Sequence, residues 1–418
     1  MSTLIRFPQF IKCSFFCLLL LIRPDIGKSQ SRYQIIYEPG LGMNFGAENI
    51  ATVGYLWQKL DHKFIPIQLF HQTHTGSKIG NIAYRLGKLF LLNYPITFIL
   101  PSIQHERFGH GSRATEFSGT IESVQITLPP PFQFRLPSIS TSNTSLQTPQ
   151  QILVETIGGS EANFILSDIL RKNILLDHKL DYHTAFMYLY ANNDLAGYAG
   201  FAANIATSDI RIAVDNLNSQ SQNNSGNLTL KRVQLYGILS IVLDPLNYYA
   251  LKSIFWDYVW SGQYSKKINL IPLGPTLHYL PKASFNFAPY GVEINLQNYL
   301  KHKRQLYALN ISHTDGTFEN AWRLSAQAWN LTLTNRISFN LAGEIWQQPE
   351  ISFYKENNLL TTKGFGGAIV ATTYYDLIKQ DHQWGLVLQL GYKSKGFMKG
   401  EILDNGVIIR GGISLRIK

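Results

Sequence analysis

Two histidines bracket a glutamate in HERFGH, His105 to His110, and these are the side-chain types that a hydrolytic metal site needs. Neutral imidazoles donate to a divalent ion, and a neighbouring carboxylate can take a proton from water bound to that ion. The familiar zinc-protease helix places its histidines four residues apart, whereas His105 and His110 are five apart. On a regular α-helix, five steps of about 100° leave the two rings about 140° apart. A π-helical turn of about 4.4 residues reduces that offset to about 50°. Gly109, next to the second histidine, makes such a distortion inexpensive. The spacing therefore predicts a helix that is bulged or unwound from Arg107 to Gly109. A straight helix there would leave only an ordinary polar segment.

HERFGHGS, His105 to Ser112, resembles the HExxGH zinc motif of the dipeptidyl peptidase III family. The resemblance is local and implies a zincin-like site in which His105 and His110 bind Zn2+ and Glu106 activates water. It also implies a third ligand from a later helix, as in the gluzincin plan. Glu161 fits that place, because it opens a helical segment 51 residues after His110 and follows Gly158 and Gly159, which let two backbones approach closely. Glu116 is the alternative, six residues beyond His110 at the metzincin offset, with Glu122 and Glu155 behind both. Asp168 and Asn163 are candidates to orient a ligand histidine from outside the coordination sphere.

Other groups carry weaker chemistry. His71 and His74 in FHQTHTG lack a nearby carboxylate, and LDHKLDYH, Leu176 to His183, reads as a solvated helix junction. No serine nucleophile elbow, phosphate loop or dinucleotide glycine pattern occurs.

The elements that must position the motif fall into two patterns. Charged residues make up 15% of the 418 residues and aromatic ones 13%, a balance suited to a lipid interface. A basic start, the apolar run Cys13 to Ile22, and small residues at Gly27 and Ser29 read as a signal peptide over residues 1–29. Both cysteines lie in it, so its removal leaves no thiol for disulfides or catalysis. The densest basic cluster, KHKR at Lys301 to Arg304, is too short for a nucleic-acid surface.

Residues 30–272 are mainly helical in pattern. The uncharged stretch Leu89 to Ile103 contains Pro95 and Pro101, which predicts a buried or interfacial helix pair. Thr148 is placed to cap a helix that Gly158 and Gly159 interrupt, and Ser160 to cap the next. From residue 273 to 418 the period becomes two, in eight strand-sized segments with polar turns. Their apolar faces, the Tyr and Trp near their ends, and their Asn, Gln, Ser and Arg on the other face suit an outer-membrane β-barrel better than a soluble one.

The sequence thus predicts an α+β protein: a helical zincin-like domain followed by an antiparallel β-barrel of about eight strands. The expected function is that of an exported, outer-membrane or periplasmic zinc-dependent hydrolase. A metallopeptidase with a peptide or protein substrate fits best, with membrane lipid and no nucleic acid as partner. The alternative is a non-enzymatic outer-membrane barrel with a helical periplasmic part. An intramembrane protease, with Leu89 to Ile103 in the bilayer, is disfavoured by the two prolines.

Overall fold

The computed structural model describes residues 31–416 apart from 72–74, 136, 143–146, 202–204, 206–207, 221–227, 316–320, 356–357 and 378–383. The expected signal peptide lies outside the described residues. The chain is α+β, with helices in its first part and a ten-stranded antiparallel sheet formed mostly by its last part.

The first strand, β1 (Tyr33–Tyr37), leads into helix α1 (Met43–Phe64). Next comes one continuous helix, α2 (Thr75–Glu116), in place of the expected helix pair. Its coil widens to π geometry over Leu89–Asn93, just before Pro95, and over Gln104–His110, just after Pro101. Such wide turns accommodate a proline without ending the helix. A hairpin follows, β2 (Thr120–Gln125) with β3 (Ser138–Ser142). Helix α3 (Pro149–Asp177) is capped as expected at Thr148, which exchanges hydrogen bonds with Gln151, but Gly158 and Gly159 do not interrupt it. From Ile157 to Leu176 nearly every residue is buried, and that burial outweighs the roughly 1 kcal/mol that each helical glycine costs.

A short strand β4 (Lys179–Asp181) precedes the helices α4 (Tyr182–Asn192), α5 (Asp194–Phe201), α6 (Asp209–Gln220) and α7 (Leu230–Val242). Helix α8 (Pro245–Leu251) continues as a π-helix over Lys252–Trp260. After β5 (Ser265–Lys267), the sheet strands are β6 (Ile271–Pro272), β7 (Leu277–Ala288), β8 (Gly291–His302), β9 (Gln305–Asp315), β10 (Trp322–Thr332), β11 (Ile337–Lys355), β12 (Asn358–Asp376), β13 (Trp384–Lys393) and β14 (Gly406–Leu415). Each of the eight alternating segments falls within one of β7 to β14 or overruns its ends by no more than two residues.

The barrel is not closed. Strand order runs β1-β14-β13-β12-β11-β10-β9-β8-β7-β6, with β1 at one edge and β6 at the other. Each edge is met by a helix. On β1, Gln34 donates to Thr52 Oγ1 (3.0 Å) and accepts from it (2.7 Å), while Ile36 donates to Asn49 Oδ1 (3.0 Å) and accepts from Asn49 Nδ2 (3.1 Å). On β7, the Phe285 amide donates to Ser240 Oγ (3.1 Å) and the Ala283 amide to the Leu243 carbonyl (3.3 Å). Replacing Thr52, which is fully buried, by valine strands both polar groups of Gln34. Thr52→Val is expected to lower stability by about 1–3 kcal/mol, read from the midpoint of denaturant unfolding.

The sheet's polarity is inverted relative to a water-soluble sheet. Leu386, Leu388, Leu390 and Tyr392 on β13 are exposed, as are Leu309 and Ile311 on β9 and Ile409 and Ile413 on β14. The opposite face is buried and polar: Glu293, Asn295, Gln297, Arg323, Thr372, Lys393 and Arg410. The expected aromatic border is met only in part, since Tyr375, Trp384 and Tyr392 face outward but Tyr299, Trp346 and Tyr374 are buried. Helix α3 packs against β7, β9 and β11, and its C-terminal carbonyls at Leu175 and Leu176 accept from the Lys301 ammonium (2.5 and 2.6 Å). Between α3 and the sheet is a polar cavity of about 240 Å³ lined by Asp168, Lys172, Gln297, Arg323 and Glu344 among others.

Candidate metal centre

The whole of Gln104–His110 is π-helical, so the widening spans a longer stretch than Arg107 to Gly109. It turns the two imidazoles to one side, with His105 Nε2 and His110 Nε2 3.2 Å apart. Three glycines bring this turn against α3. A Cβ on Gly109 would stand 2.6 Å from the Gly158 oxygen and from Gly159 Cα, and one on Gly159 would collide with the His105 ring. Gly159→Ala is expected to displace that ring and weaken metal binding at least tenfold by zinc titration, since small misplacements of a ligand are costly.

The third acidic partner is neither Glu161 nor Glu116. Both Glu161 oxygens are engaged: Oε1 accepts from Arg113 Nη2 (2.5 Å) and the Gly400 amide (2.6 Å), and Oε2 from Arg113 Nε (3.2 Å). Glu116 accepts from Arg113 Nη1 (2.7 Å) and from the Leu403 amide. Arg113, fully buried, thus engages both carboxylates, and the pair ties α2 and α3 to the β13–β14 connection. Asp209, in the first turn of α6, takes the place instead. Its Oδ2 lies 3.3 Å from both His105 Nε2 and His110 Nε2. Ser208 caps that helix by accepting from the Arg211 amide, so the Asp209 carboxylate is free to face the rings.

The outer ring nitrogens are held as ligand histidines usually are. His110 Nδ1 is 2.7 Å from the Glu155 carbonyl oxygen, and His105 Nδ1 is 3.4 Å from Asp194 Oδ2. Asn163 donates to Asp194 Oδ1 (3.1 Å) and lies 3.5 Å from His105 Nδ1, so it stands where an orienting residue would. Asp168 does not: it lines the polar cavity and accepts from Gln297 Nε2 (3.3 Å). Tyr198 on α5 stacks on His105 with centroids 5.1 Å apart, and its hydroxyl is 3.1 Å from His105 Nε2. Of the other glutamates, Glu122 accepts from Ser140 Oγ on the hairpin and Glu155 contributes its carbonyl.

Charges explain the electrostatics of the group. Burial favours neutral His105, but the carboxylates of Asp194 and Asp209 outweigh it and hold the imidazole above its ordinary range. Burial raises Glu106, against the opposing pull of His105 and His110, so its carboxyl is a better base than a free one. Burial also acts to raise Asp209, yet the two histidines hold it well below the carboxylate range.

His105, His110 and Asp209 offer ligand atoms that lie within 4.8 Å of one another. Bonds of about 2.0–2.1 Å to a tetrahedral ion set ligand–ligand edges of about 3.4 Å, whereas octahedral geometry sets about 3.0 Å. The two 3.3 Å edges to Asp209 lie nearer the tetrahedral value and the 3.2 Å edge midway, and the three form one triangular face. Three protein ligands would leave a tetrahedral ion one vertex for water or substrate.

Asp61, His62 and His183 form a second such group, in place of the expected solvated junction near Leu176 to His183. There Lys88 Nζ stands 2.8 Å from Asp61 Oδ2, which also accepts from the Tyr182 hydroxyl (2.7 Å), and His183 lies between Asp61 and Asp181. Two buried carboxylates face an ammonium and an imidazole, so a cation is already supplied. Burial would raise Asp61, but His183, Lys88 and Tyr182 together hold it at about 2, below the ordinary 3.8. Its contribution to stability is therefore present above about pH 4 and lost as the pH falls towards 2. Asp61→Asn leaves Lys88 buried without its counter-charge. The expected loss is about 3–5 kcal/mol in denaturant unfolding at pH 7, shrinking at pH 2–3 where the wild-type carboxylate is itself protonated.

Comparison with known protein families, curated proteins and solved structures returned no match.

Proposed function

We propose that this protein is a membrane-associated, zinc-dependent hydrolase, a peptidase in the first instance, with His105, His110 and Asp209 as metal ligands and Glu106 as the base. The observation that carries this reading is the triangle of His105 Nε2, His110 Nε2 and Asp209 Oδ2, with edges of 3.2–3.3 Å. Two imidazoles and a carboxylate with one open position are the donor set of catalytic zinc. A divalent ion bound there supplies an acidified water and a Lewis acid for a carbonyl oxygen.

The chain's own residues do the rest. The Glu155 carbonyl and Asp194 fix the two ring orientations and direct each Nε2 inward. Glu106, buried and next to His105 in the chain, accepts the water proton and passes it to the leaving group. Tyr198 places a hydroxyl donor beside His105, where charge builds on the substrate oxygen. The Asp209 side is partly open to solvent, which leaves a path for an extended substrate.

The inverted polarity of the sheet supports the membrane part of this reading. Apolar residues outward and polar residues inward are the pattern of a lipid-facing sheet, and the reverse of what water selects. The direct test is zinc content together with hydrolysis of a quenched-fluorescent peptide library by detergent-purified protein, wild type against Glu106→Gln and Asp209→Ala.

A further inference from the structure

An open sheet cannot face lipid by itself, because its edge amides and carbonyls would have no partner in hydrocarbon. In this chain the amides and carbonyls of Gln34 and Ile36 on β1, and the amides of Ala283 and Phe285 on β7 beyond the short β6, do have partners, and they come from helices. Thr52 and Asn49 of α1 satisfy Gln34 and Ile36 on the β1 edge, and Ser240 and Leu243 at the end of α7 satisfy Phe285 and Ala283 on the β7 edge. The same two helices each carry an exposed apolar band, with exposed charges only at their ends, Lys63 on α1 and Lys231 and Arg232 on α7. Between Met43 and His62 the exposed residues are Val53, Leu56 and Leu60, at the 3–4 spacing of one helical face. From Leu235 to Leu251 every exposed residue is apolar, Ile238 and Val242 among them, and the band is bounded by Arg232 at one end and Lys252 at the other.

We infer that α1 and α7 each cover one edge of the open sheet and that the lipid acyl chains of a bilayer cover a perimeter of mixed strand and helix. This rests on the membrane reading of the sheet and extends it to surfaces that an ordinary barrel does not have. Strands of 10–12 residues, tilted about 40°, span roughly 25–30 Å, which matches the apolar thickness of a bilayer. The exposed faces of α1 and α7 continue the sheet's outward apolar face past both of its edges, and cationic ends suit the headgroup level. Acyl chains are the occupant that accounts for the strand and helix faces together.

The test uses the full chain with Cys13 and Cys17, its only cysteines, replaced by serine. Single spin labels are introduced through Leu388→Cys on β13, Leu56→Cys on α1 and Ile238→Cys on α7. The protein is reconstituted in phosphatidylethanolamine–phosphatidylglycerol vesicles, and collision rates with oxygen and with a water-soluble nickel chelate are compared. The inference expects all three labels to favour oxygen, the signature of hydrocarbon. A lipid signal at position 388 with water access at 56 or 238 overturns the mixed perimeter while leaving the membrane reading intact. Water access at all three positions overturns both.

Discussion

Glu106→Gln is expected to keep its metal and lose its turnover. The substitution preserves shape and removes only the ability to accept a proton, and Glu106 is not one of the three ligand groups. General-base catalysis contributes about 10²–10⁴-fold, so kcat should fall by that factor while KM changes little. The measurement is steady-state hydrolysis alongside zinc content by mass spectrometry. Full activity in the variant would remove Glu106 from the mechanism. Loss of the metal with the activity would make it part of the binding site instead.

Asp209→Ala is expected to release the metal. It deletes one of three protein ligands and the carboxylate that draws both imidazoles together. Loss of an outer-shell partner alone weakens metal affinity by about 10–100-fold, so loss of a ligand should exceed that and abolish hydrolysis at ordinary zinc concentrations. Asp209 is partly exposed and sits at the start of a helix capped by Ser208, so the fold should survive. Zinc titration monitored by a competing chelator reads the affinity, and circular dichroism checks the helices. Asp194→Asn should do less, weakening affinity within that 10–100-fold range, because it only orients His105.

Much of this was legible in the residues. The five-residue spacing and Gly109 pointed to a widened turn, and period-two alternation marked all eight main strands. Gly158 and Gly159 marked a close backbone approach, which Gly158 makes to Gly109 and Gly159 to the His105 ring. The third ligand was not legible. Asp209 comes 99 residues after His110, in a helix start that reads as routine capping, and only the tertiary fold brings it to the histidines. Glu161 had the right spacing for a ligand, but Arg113, one turn beyond His110, takes both its oxygens. Strand alternation likewise shows which residues share a face but not whether the two sheet edges meet. That outcome depends on the hydrogen bonds of Thr52, Asn49 and Ser240, three polar residues on the helices that flank the sheet edges.

The most direct test of the proposed site is a crystal structure of the zinc-soaked protein with anomalous data collected on both sides of the zinc absorption edge. A single strong peak is expected about 2.0–2.2 Å from His105 Nε2, His110 Nε2 and an oxygen of Asp209. No peak between those three atoms, or one at the Glu161 carboxylate in place of Arg113, would contradict it.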